Sequence, residues 1–89
     1  METVHLIISG KVQGVFYRAS AKKKAEQLNV RGWIKNTPEG NVEATVTGEA
    51  GKIQDFIQWC QSGPDKAVIK DIKIYKQDFQ EFDAFTIKR

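Results

Sequence analysis

The residues best suited to chemistry lie in one run, Gly10-Lys11-Val12-Gln13-Gly14-Val15-Phe16-Tyr17-Arg18. It begins where the apolar segment Val4 to Ile8 gives out and ends where a helical pattern starts. Two glycines let the main chain turn tightly with its N–H groups facing inward. The start of a helix adds partial positive charge, and arginine supplies a permanent cation with a forked set of donors. Such a run can cradle an anion between the amides from Gln13 to Tyr17 and the Arg18 guanidinium. Phosphate suits it best, because the two parallel N–H to oxygen bonds of an arginine both hold and orient that group. Lysine at 18 would keep the charge and lose the fork. The same residues also read as a plain strand-to-helix turn with a surface arginine, and the lysine followed by serine or threonine of a Walker loop is missing.

The elements that must position this run follow from periodicity. Alternation at Val4, Leu6 and Ile8 predicts a first strand with one buried face. Ala21, Ala25 and Leu28 recur at helical spacing among Lys22, Lys23, Lys24, Glu26 and Gln27, and Asn29 and Gly32 punctuate the end of that helix. Val30 to Lys35 predicts a second strand. Asn36-Thr37-Pro38-Glu39-Gly40 suits a hairpin turn, with proline second and glycine last. Val42, Ala44 and Val46 mark a third strand. Ile53, Phe56, Ile57 and Cys60 then share one face of a second helix, which Ser62-Gly63-Pro64 stops. Val68 to Tyr75 predicts a fourth strand and Phe82 to Ile87 a shorter fifth. The order βαββαβ is that of an α+β, ferredoxin-like split βαβ sandwich, with two helices on one face of a four- to five-stranded, mainly antiparallel sheet. Residues 1–89 are expected to form one domain, since no linker, repeat or low-complexity segment interrupts them.

With 40% hydrophobic and 28% charged residues, the 89-residue chain has the composition of an ordinary globular protein. One cysteine, Cys60, cannot form an internal disulfide, and beside a single histidine, His5, it makes no zinc or redox constellation. No metal site is therefore recognisable from these two residues. Met1-Glu2-Thr3 carries an acid where a signal peptide would carry basic residues, and the following apolar stretch is too short for a membrane segment, which predicts a cytoplasmic protein with no membrane partner. A net charge of +3 favours anionic partners. The basic residues are nevertheless scattered, apart from Lys22 to Lys24, which reads as a solvated helix edge, and Lys88-Arg89. No nucleic-acid partner is expected, because the third strand offers Glu43, Thr45 and Thr47 where RNA readout by this fold would need exposed aromatics. His5 reads as structural or exposed, Cys60 as core packing, and Trp33, Phe56 and Trp59 as core or core margin. Taken alone, Asn36 is a turn former.

Gly10 to Arg18, together with Gly32-Trp33-Ile34-Lys35-Asn36-Thr37-Pro38-Glu39-Gly40-Asn41-Val42, resembles the two signature segments of the acylphosphatases. The resemblance covers nearly the whole chain, including the Gly63-Pro64 turn and the apolar C-terminal strand ending at Arg89. Ile34 stands where that family usually has valine and Tyr17 where it has phenylalanine, and neither change touches the polar groups. The resemblance implies a monomeric enzyme that hydrolyses the carboxyl-phosphate bond of an acyl phosphate without cofactor, with inorganic phosphate as product and inhibitor. It also implies that Arg18 and the loop Gln13, Gly14, Val15, Phe16 and Tyr17 bind the phosphoryl group while Asn36 positions the attacking water. An asparagine amide does not usefully accept a proton, so its part is to aim the water. The alternatives are a noncatalytic ferredoxin-like anion- or RNA-binding module, and the same cradle within a larger carbamoyl-transfer protein, against which the short chain argues. No deep element for the acyl side is recognisable, which leaves selection there loose.

Overall fold

The computed structural model describes residues 1–89 throughout. Alternation sends Val4, Leu6 and Ile8 to one face of β1 (Glu2–Lys11), where all three are buried. In the same sense Ile34 of β2 (Arg31–Asn36) and Val42, Ala44 and Val46 of β3 (Val42–Gly48) turn inward. β1 pairs antiparallel with β3, setting Leu6 opposite Ala44, and antiparallel with β4 (Val68–Gln77) on its other side. β2 pairs antiparallel with β3 and parallel with the short β5 (Phe85–Ile87). The result is a five-stranded mixed sheet in the order β4-β1-β3-β2-β5.

Two helices cover the apolar face. α1 (Tyr17–Gln27) buries Tyr17, Ala21 and Ala25, and the two alanines are small enough to bring the helix close to the sheet. α2 (Ala50–Ser62) buries Ile53, Phe56, Ile57 and Cys60, the stripe that its spacing predicts. These residues join the strands in one core cluster of 18 side chains, with Trp59 partly buried against it. Trp33 alternates out to the opposite face, where its ring lies 5.9 Å from His5 and under the Lys88 ammonium at 4.5 Å. His5 is structural: Nδ1 shares a 2.7 Å hydrogen bond with the Thr45 hydroxyl, and Nε2 lies 3.3 Å from Glu43.

A register shift between Ser9 and Gly10 marks a β-bulge against β4. Gly10 has φ +126°, and a side chain there would collide with the Val68 carbonyl. This glycine therefore serves the sheet. It shifts the register with which Gly10 and Lys11, the last residues of β1, pair with β4 before the chain leaves for the segment ahead of α1.

Candidate active site

Residues 12–16 bridge the end of β1 and the start of α1. Val12 and Val15 are buried and pin the bridge to the core at two points. Gly14 at φ +74° and Phe16 at φ +63° are both left-handed, so the backbone curls between and beyond those pins. No backbone amide from Gln13 through Ala19 donates to a backbone carbonyl, and the first closed turn of the helix is Ser20 N–H to Phe16 C=O at 3.0 Å. Free amides at a bent helix entrance, with no acid in the first turn of α1, make a positively polarised hollow. A Cβ built on Gly14 would meet no atom within 4 Å, so this residue faces open space.

That space is a cavity of about 530 Å³ bordered by Gly14, Phe16, Tyr17, Arg18 and Asn36. Arg18 stands in the first turn of α1, half-buried, and makes no ion pair: the two in the structure join Glu43 to His5 and to Lys35. Asn36 closes β2 opposite Val42. Its Oδ1 is the only buried side-chain nitrogen or oxygen without a hydrogen-bond partner. Such an orphan acceptor is costly unless water or a ligand meets it.

Neighbouring groups hold these parts in place. The Gln13 Nε2 donates to the carbonyls of Thr37 at 3.0 Å and Asn41 at 2.8 Å. The turn that carries those carbonyls is itself closed by Thr37 N–H to Asn41 C=O at 2.9 Å and Asn41 N–H to the Thr37 hydroxyl at 3.1 Å. Tyr17 is buried, and its hydroxyl donates to the Cys60 carbonyl at 2.7 Å, tying the helix start to α2. Burial pushes the Tyr17 phenol far above its ordinary range, and the neighbouring Cys60 adds to the rise. Gly63 leaves room for that ring, since a Cβ there would come within 2.7 Å of it.

The residues singled out in the sequence thus divide. Gly14, Phe16, Tyr17, Arg18 and Asn36 meet at one cavity. Val15 turns its side chain into the core, and the Gln13 side chain points at the β2–β3 turn, so any part these two have in holding an anion belongs to their amides. Ile87 and Arg89 also border the cavity and escaped the sequence reading. They arrive through the parallel pairing of β5 with β2, extended by Lys88 N–H to Ile34 C=O at 2.8 Å, a long-range pairing with no local signal. No three His, Cys, Asp or Glu side chains cluster anywhere in the chain. Chemically, the hollow offers fixed donors for a tetrahedral oxyanion and one acceptor able to orient a water beside it.

Comparison with known proteins adds to this geometry. A family model described as Acylphosphatase matches residues 4–87. A curated acylphosphatase of Syntrophus aciditrophicus is 40% identical over 88 residues, covering 98% of this chain and 92% of its own. Among solved structures, an acylphosphatase from Coxiella burnetii superposes with a TM-score of 0.94 at 36% identity over 98% of this chain and 92% of that one. The acylphosphatase from Bacillus subtilis gives 0.97 at 27% identity with all of both chains covered.

Proposed function

The chain belongs to the acylphosphatase family, and from that premise we propose the part that each residue of the cavity plays. The enzyme hydrolyses acyl phosphates, releasing a carboxylate and inorganic phosphate. The amides from Gln13 to Tyr17 and the Arg18 guanidinium receive the non-bridging phosphoryl oxygens. Asn36 Oδ1 accepts a hydrogen bond from the attacking water and aims its oxygen at phosphorus. The observation that carries this reading is the orphaned Asn36 oxygen in the same cavity as an unpaired Arg18.

The chemistry asks little more of the protein. As water's oxygen bonds to phosphorus, the bond from phosphorus to the carboxylate oxygen breaks, and the carboxylate departs with its electron pair. A carboxylate is stable as an anion, so no general acid is needed. Both protons of the water end on the phosphate: an acyl phosphate dianion and water become a carboxylate and dihydrogen phosphate. In the loose transition state of phosphoryl transfer, charge spreads over the equatorial oxygens, where fixed donors act most strongly. Inorganic phosphate fits the same cradle and therefore inhibits competitively. The chain acts as one domain over residues 1–89, a cytoplasmic monomer with no nucleic-acid or membrane partner. None of its helices is long and apolar enough to cross a membrane.

The test is incubation of the purified protein with benzoyl phosphate in excess EDTA while free phosphate is followed. Chelator-resistant turnover, blocked competitively by inorganic phosphate, is expected. Phosphate inhibition that is not competitive, or turnover abolished by the chelator, would overturn the assignment of the cradle.

A further inference from the structure

Phe16 is the large apolar side chain with the greatest exposure, 79%, and it occupies a left-handed backbone conformation at the edge of the cavity. A bulky residue is disfavoured there, and glycine or asparagine would adopt the same φ at lower cost. The residue is mostly exposed and lies outside the core cluster, so the core does not recover that cost. Neither the turn nor the packing of the protein therefore calls for a benzyl group at 16. Ile87, 40% exposed on β5, borders the same cavity and adds a second apolar side chain.

Resting on the reading that the phosphoryl group sits in the cradle, we propose that Phe16 and Ile87 form the acyl subsite and select for acyl phosphates with an apolar, flat or branched acyl group. The amides and Arg18 match phosphoryl oxygens, so the acyl portion extends toward the exposed side of the cavity. There it meets the Phe16 ring and the Ile87 side chain. An aromatic acyl group covers both and is itself withdrawn from water, whereas an acetyl group is too small to reach across them. The loose acyl selection expected from the sequence gives way here to a stated preference.

The experiment compares kcat/KM for benzoyl phosphate, acetyl phosphate and succinyl phosphate in the wild type, Phe16→Asn and Ile87→Thr. Asparagine tolerates the left-handed backbone and threonine keeps strand propensity, so both variants preserve the local conformation. Taking the benzoyl-to-acetyl ratio relative to wild type cancels the intrinsic reactivity of the two acyl phosphates. The ratio is expected to fall about tenfold in Phe16→Asn and severalfold in Ile87→Thr, the scale of discrimination that one apolar contact surface provides. Turnover with an unchanged ratio in both variants overturns the subsite. So does a wild-type preference for succinyl over benzoyl phosphate, which would assign this side to Arg89. Wild-type protein inactive on all three acyl phosphates would instead defeat the underlying site reading, and the subsite with it.

Discussion

Replacing Gln13 by alanine removes both hydrogen bonds that tie the cradle to the β2–β3 turn. Each is a neutral side-chain to backbone bond, worth ~0.5 to 1.5 kcal/mol net. The two carbonyls left behind keep other donors, since Thr37 C=O still accepts from Gly40 N–H at 3.1 Å and Asn41 C=O from Thr37 N–H at 2.9 Å. No orphaned acceptor is added, and the loss of stability is expected at about 2 kcal/mol. For a domain of this size that lowers Tm by roughly 10 °C. Because the same turn follows Asn36 directly, kcat should fall with stability while inhibition by phosphate changes less. Glutamate at 13 is the sharper variant. Its carboxylate would face two carbonyl oxygens without a proton to offer, so it should be less stable than alanine at pH 7. Folding favours its protonated form, which raises its pKa in the native state; the missing stability therefore returns as pH falls through that raised pKa. Denaturant melts of both variants at pH 7 and pH 4.5 decide the matter. Full stability and kcat in Gln13→Ala, or a glutamate variant as stable as alanine at pH 7, would refute the clamp.

Arg18→Gln should remove nearly all turnover and weaken inhibition by phosphate, whereas Asn36→Ala should lower kcat ~100 to 1,000 fold with smaller effect on phosphate binding; near-normal rates in the arginine variant contradict the assignment. Gly14→Val should fold, because its Cβ meets no protein atom within 4 Å, yet it places a side chain in the open cavity and strains a φ of +74°. Phosphate affinity measured by competitive inhibition is expected to collapse, and an unchanged inhibition constant would show that the anion lies elsewhere. Burial pushes the Cys60 thiol from 9.0 up to about 12, against the smaller opposing pull of the Tyr17 hydroxyl. The unfolded thiol ionises first, so this stability is present below pH 9 and lost as pH climbs toward 12, at ~1.4 kcal/mol per pH unit. Cys60→Ala should therefore lose ~1.4 kcal/mol less than wild type between pH 8 and pH 10, with equal losses in the two proteins counting against the burial account.

What was legible in the sequence was whatever repeats locally. Val4, Leu6 and Ile8 alternate because β1 has one buried face, and Ile53, Phe56, Ile57 and Cys60 recur at helical spacing because α2 does. The residue types of Gly10 to Arg18 suggest an anion cradle, whereas Asn36 joins it only through the resemblance of Gly32 to Val42 to the second acylphosphatase segment. The start of α1 is legible to within a residue or two of Tyr17, but the anchoring of the Tyr17 side chain by a carbonyl 43 residues away is not. The Gln13 clamp, the bulge at Gly10 and the arrival of Ile87 beside the cavity are all pairings between distant segments. Local pattern carries no register for such contacts. The exposure of the Phe16 side chain was hidden for another reason: a phenylalanine signals burial, and nothing in its neighbours reveals a left-handed backbone that turns it outward.

The most direct measurement is a titration of the 15N-labelled protein with inorganic phosphate, followed by amide and guanidinium NMR. Saturable shifts confined to the amides from Gln13 to Ala19, the Arg18 side chain and the Asn36 side-chain amide, at a concentration matching the inhibition constant, are the predicted result. Inhibition by phosphate with those signals unmoved, or with the shifts gathered at another surface, would contradict the claim that this bent segment and one arginine hold the oxyanion.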